Sequence, residues 1–176
     1  ASVLAKRIDG DCPGLDGDGL VDLLLWLLQA DLGTYFDGAE GPFGGFIDGI
    51  SKWILKFFED GTGEENLLDL ATKLRDAVYE FGTPRQLLFG DVIAAVLRKK
   101  LENSAWKALP SYSGLPRDKW LHALQKDSFI KELWPAQHLL GQADVLKGES
   151  AIVQMPTSAG KTKATELILR SAFLLG

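Results

Sequence analysis

Residues Ser150 to Leu174 read SAIVQMPTSAGKTKATELILRSAFL, and the fold assignment turns on this stretch. Ala151, Ile152, Val153 and Met155 are apolar and partly β-branched, which predicts a short buried strand. Pro156 closes it, because proline cannot donate to a sheet ladder. Thr157, Ser158, Ala159, Gly160, Lys161 and Thr162 form a small-residue loop. Ala164, Leu167, Ile168, Ala172 and Leu175 then follow helical spacing. Strand, loop ending in Gly-Lys-Thr, then helix is the context in which a phosphate-loop pattern carries weight.

The chemistry follows from the residue sizes. A phosphate chain needs several donors converging on one point, and loop amides plus the free N–H groups of a helix's first turn supply them. Small residues let the backbone approach. Lys161 adds a compact positive charge for the outer phosphates, and Thr162 offers a hydroxyl to Mg²⁺. Met155 stands where the general pattern has its first glycine. A plain turn and helix cap is the alternative reading.

MPTSAGKT after an apolar strand resembles motif I of superfamily 2 helicases of the DEAD/DEAH-like class, where the first position is often Ala or Met. The continuation KTKATEL, with Glu166, is similar to a branch serving DNA repair and RNA processing. Upstream, LWPAQ (Leu133 to Gln137) resembles that branch's adenine-recognition motif, in which a proline-containing turn delivers one glutamine. The resemblance covers about Phe129 onward. It implies ATP and Mg²⁺ as cofactors, nucleic acid as partner, and ATP-dependent helicase or translocase activity. The implied nucleotide-binding residues are Gln137, Thr157, Ser158, Ala159, Gly160, Lys161 and Thr162, with Thr162 toward the metal.

Composition bounds these readings. The 176 residues allow one or two domains, and 46% hydrophobic with 24% charged residues is ordinary for a globular chain. Cys12 alone excludes an internal disulfide and fits a reducing compartment, so a cytoplasmic location is expected. LLLWLL (Leu23 to Leu28) is too short to span a bilayer, and no leader peptide is visible. Net charge is −5, which argues against an extended nucleic-acid groove in these residues. The basic run Arg98, Lys99, Lys100 reads as a solvated helix end.

Taken in order, the Asp- and Gly-rich residues 1–19 fail a calcium-loop pattern at Leu20, Val21 and Leu27 and read as a loop. Helices are predicted over Leu20 to Asp31, Phe46 to Glu59, Glu64 to Phe81, and Pro84 to about Glu102. The inward residues of the third are Leu67, Leu70, Leu74, Val78 and Phe81. Those of the fourth are Leu88, Val92, Ala95, Val96 and Leu101. The stretch 34–45 reads as a loop and Asn103 to Pro116 as a connector pinned by Trp106. Arg117 to Gln125 and Ala136 to Leu146 are shorter helices. His122 and His138 read as surface or hydrogen-bonding residues, and no metal-ligand cluster is visible.

The expected fold is therefore mainly α: a helical N-terminal accessory domain over 1–127, then the first strand, phosphate loop and helix of an incomplete α/β RecA-like motor domain over 128–176. No Asp-Glu pair follows the loop to hold Mg²⁺ and water, so no catalytic residue is assigned, and one strand with one helix is not a domain. The chain is thus expected to be the N-terminal portion of a helicase, inactive by itself. The alternative is a helical module binding protein or nucleic acid, with a non-functional phosphate-loop remnant.

Overall fold

A computed structural model describes residues 19–29, 32, 41–156 and 160–176. The start of the chain through Asp18, with Cys12, the segment 33–40 and Thr157, Ser158 and Ala159 lie outside the described residues. Among the described residues the structure is helical, with eight α-helices and one 3₁₀ turn. The packing forms two units, 1–99 and 100–176.

In the first unit α1 (Leu20–Leu27), α2 (Gly44–Asp60) and α3 (Glu64–Phe81) bury one face each, and α4 (Pro84–Asn103) follows. Ile47, Ile50, Ile54, Phe57 and Phe58 of α2 are buried, as are Leu67, Ala71, Leu74 and Val78 of α3. Each fully buried side chain contributes about 1.5–3 kcal/mol, so packing outweighs the caps and surface ion pairs. The α2–α3 turn needs its glycines: at Gly63, φ is 85° and an added Cβ would lie 2.4 Å from the Trp53 ring. Thr83 and Gln86 cap α4 reciprocally, with Gln86 Oε1 accepting from the Thr83 N–H at 2.8 Å.

Two helix faces differ from expectation. Phe81 is 76% exposed, and Leu88 is 60% exposed. Ala95 is exposed and Val92 and Val96 only partly covered, while Ile93, Leu97 and Leu101 are buried. Two apolar phases overlap along α4, and the i, i+4, i+8 set wins.

The second unit holds the last residues of α4, α5 (Ala105–Ser113), α6 (Arg117–Leu124), α7 (Pro135–Gln142), the 3₁₀ turn Val145–Lys147 and α8 (Lys161–Leu175). Expected as a connector, 105–113 is a helix despite Pro110. Burial overrides propensity here: Trp106 and Leu109 are covered, and the fully buried Trp120 of α6 donates its indole N–H to Ser113 Oγ at 2.9 Å. The stretch 131–133 lies against the α4–α5 junction, where Ala105 N–H meets Lys131 O and Leu133 N–H meets Asn103 O, both at 2.8 Å. Lys100 of the basic run is buried in an ion pair with Glu132. The helices at 105–124, grouped by sequence with the accessory part, thus pack in the same unit as Gln137.

The strand expected at 151–155 does not form. Residues 151–156 take no regular structure, and Ile152 is fully exposed. A strand needs a neighbour for its amides and carbonyls, and the described residues include no other strand. Met155 alone packs inward, on Leu140, Val145 and Ala164. The helix predicted to run to Leu146 stops at Gln142 and continues as the 3₁₀ turn, ended by Gly148 at φ 94°. No helix among the described residues is long and apolar enough to cross a membrane.

Two predictions test this packing. A Cβ at Gly141 would lie 2.2 Å from the Tyr112 ring. Gly141→Ala is therefore expected to destabilise the chain in urea melts by about 1–3 kcal/mol, outweighing the ~1 kcal/mol gain in helix propensity. An unchanged or raised midpoint would refute the contact. Asp60 is held down to about 2 from its ordinary 3.8, first by Lys56 at 2.5 Å and then by Thr62. Its stabilisation is present above 3.8 and lost as pH falls toward 2. Asp60→Asn should flatten stability against pH in that window, and an unchanged slope would exclude the linkage.

Candidate functional site

Pro135 opens α7 at its first position, where its missing N–H is no loss. Gln137 is the third helical residue, and its Oε1 accepts from the Trp134 backbone N–H at 2.7 Å. This is one half of a capping box; tryptophan has no acceptor to return the bond. The Gln137 side chain is 1% exposed.

Gly160 caps α8 in the left-handed region, at φ 78° and ψ 39°. A Cβ there would stand 3.0 Å from Gln137 Nε2 and 3.8 Å from Trp134 Cε3. The left-handed dihedral angles favour glycine here, and a side chain would also press on the Gln137 amide. Thus the structure brings Gln137, Gly160, Lys161 and Thr162 together, and Thr157, Ser158 and Ala159 lie outside the described residues.

Lys161 and Thr162 are exposed in the first turn of α8. Helix geometry leaves the N–H groups of Lys161, Thr162 and Lys163 without intrahelical acceptors, and the helix dipole adds positive potential there. Lys161 makes no ion pair or hydrogen bond among the described residues. Lys163 differs: its ammonium donates to Ser128 O at 2.8 Å and to Glu166 at 3.1 Å.

Glu166 lies between Lys163 and Arg170, the latter at 3.0 Å. Partial burial pushes its carboxyl up, but the hydrogen bonds from Lys163 and then Arg170 outweigh this and leave it below the usual glutamate value. Arg170 also lies over the Phe129 ring, 5.2 Å from its centroid. These residues tie the start of α8 to the segment before α7. An open depression of about 700 Å³ runs along α8, lined by Lys161, Thr162, Thr165, Glu166, Leu169, Arg170 and Phe173.

Behind Gln137, His138 Nδ1 shares a hydrogen bond of 2.8 Å with the Tyr112 hydroxyl. It thus has a hydrogen-bonding role, and His122 is exposed. Sequence reasoning missed Trp134, which is 50% exposed beside Gly160. The signal was there: an aromatic residue directly before the proline that opens α7.

The donor set suits a phosphorylated ligand. Among the described residues, the first-turn amides of α8, Lys161 and the side-chain-free Gly160 form the type of donor set that anions use. One threonine hydroxyl is too little for Mg²⁺ alone, but Mg²⁺ is commonly held by one or two protein oxygens with phosphates and water. No family model matches the chain, and no solved structure matches it either.

Proposed function

We propose that the second unit carries a nucleoside-triphosphate site of the kind found in superfamily 2 helicases. The first amides of α8 and Lys161 hold the phosphates, and Thr162 faces the accompanying Mg²⁺. The observation that carries the proposal is the meeting of Gly160 and Gln137, residues 23 positions apart that come from two separate motifs. A plain helix cap needs no such partner. When bound, Mg²⁺ would neutralise charge on the phosphates and orient them. Other α8 residues hold the helix start: Lys163 ties it to Ser128, and Glu166 balances Lys163 and Arg170.

The loop and helix of a RecA-like motor lobe remain part of this reading, as do ATP as the nucleotide, nucleic acid as the partner of the motor and helicase or translocase action. What supports them is the order and spacing of LWPAQ and MPTSAGKT. The exposed Ile152 and Val153, with Leu169 and Phe173 on α8, are the surfaces that further strands of such a lobe would cover. A second reading, a helical module that docks a partner protein, draws on Tyr79, Phe81 and Leu88, which expose apolar surface on the first unit.

Calorimetric titration of MgATP into the 176-residue chain should show binding that Lys161→Ala weakens about tenfold or more, the loss of one charge-assisted contact. The same chain should not turn over ATP repeatedly, because Glu166 is the sole acidic residue after the loop and it is engaged by Lys163 and Arg170. Binding indifferent to Lys161 would refute the phosphate site. Multiple-turnover hydrolysis lost in Lys161→Ala would refute the prediction of inactivity.

A further inference from the structure

The first unit has a cavity of its own, built by the turn between α2 and α3. Gly61 and Gly63 both take left-handed backbone there, at φ 71° and 85°. Asp60 Oδ1 accepts from the Thr62 N–H at 2.8 Å and from its hydroxyl at 2.6 Å, and the same carboxylate holds Lys56. This stiff turn brings Gly63 onto the Trp53 ring, where an added Cβ would stand 2.4 Å from Cε3. The indole is thus seated against backbone. It also walls an open cavity of about 420 Å³, together with Glu65, Asn66, Asp69 and Leu70 of α3.

Acidic residues in the first turn of a helix favour its dipole, so Glu65 alone marks nothing. The combination with an aromatic wall does. Trp53 and Leu70 are only partly buried, which leaves a ring and an aliphatic surface open inside the cavity. Helix spacing puts Glu65 and Asp69 on one face of α3, so both carboxylates border the same opening. Among the described residues no lysine or arginine lines it. Asp69 meets Lys73 at 2.7 Å, but both side chains are exposed, and such a pair contributes little and exchanges readily. Lys56 is engaged by Asp60 and Arg75 by Asp91. The chain's whole acidic surplus also lies in residues 1–99, since basic residues outnumber acidic ones in 100–176. The charge of this unit therefore favours a positively charged partner.

We propose that this cavity receives an arginine side chain from a basic segment of a partner protein. The guanidinium lies over the Trp53 indole and donates to the Glu65 and Asp69 carboxylates, and its aliphatic stem covers Leu70. Arginine suits the site better than lysine, because a planar guanidinium stacks on an aromatic face while its edge pairs with carboxylates. The proposal concerns the first unit alone and is independent of the nucleotide site proposed above.

The test is an NMR titration of the full 176-residue chain, followed at the Trp53 indole N–H and the Glu65 and Asn66 amides. The probes are a blocked glycine–arginine–glycine peptide, its lysine counterpart, its neutral citrulline counterpart, and guanidinium chloride at matched ionic strength. The titration is repeated for Trp53→Ala, Glu65→Gln and Asp69→Asn, with circular dichroism to verify that each variant is folded. The arginine peptide should bind about fivefold or more tighter than the citrulline peptide and than free guanidinium, the scale of one cation–π contact with an ion pair. The lysine peptide should fall between the arginine and citrulline peptides. Trp53→Ala should bring the arginine peptide to the citrulline level. Glu65→Gln and Asp69→Asn, at exposed positions that leave the packing intact, should each weaken the arginine peptide about twofold or more and leave the citrulline peptide unchanged. The proposal is overturned if the citrulline peptide binds as well as the arginine peptide. It is equally overturned if both carboxylate variants bind the arginine peptide as wild type does. If free guanidinium binds as tightly as the arginine peptide, the cavity holds a small cation and the partner-protein reading falls.

Discussion

The buried amide of Gln137 lies between the starts of two helices. Its oxygen holds the Trp134 N–H at the opening of α7, and its nitrogen lies against Gly160 at the opening of α8. A buried amide must be hydrogen-bonded to be tolerated, so the arrangement is not free to drift. It places the start of α8 beside the LWPAQ turn.

The rest of the second unit serves to hold the turn steady. The backbone pairing of 131–133 with the α4–α5 junction, reinforced by the Lys100–Glu132 ion pair, leads the chain into α7. Tyr112 lies on Gly141 and bonds His138, clamping α7 to α5. The buried Ser171 hydroxyl donates to Leu146 O and locks the far end of α8 to the 3₁₀ turn. Lys163 reaches Ser128 from its near end. With both ends held, the first turn of α8 keeps Lys161 and Thr162 exposed.

Much of this was legible in the sequence, for reasons that can be named. The 3.6-residue period of Ile47, Ile50, Ile54, Phe57 and Phe58 marks α2, and Thr-Pro before α4 marks its cap. Gly160 and Gln137 come from the two motifs that the sequence marks, and a Cβ built on Gly160 would stand 3.0 Å from Gln137 Nε2. The α4 face was misjudged because Leu88, Val92 and Val96 compete with Ile93, Leu97 and Leu101, and only tertiary packing decides between two apolar phases. Pro110 and Gly114 suggested a connector, but Trp120 and Ser113 make a buried contact that local composition cannot show. The strand at 151–155 failed for a related reason: apolar alternation states a preference, while a ladder needs a second chain segment. The burial of the Gln137 amide, and with it the exposure of Trp134, depends on geometry that no spacing rule encodes.

The central claim is that an anion sits where α8 begins. Amide NMR of the ¹⁵N-labelled chain during titration with inorganic tripolyphosphate tests it most directly. The account predicts saturable shifts of the Gly160, Lys161 and Thr162 amides, with the Trp134 amide still protected from exchange by its bond to Gln137. Shifts scattered over the surface lysines, with those three amides unmoved, would contradict it.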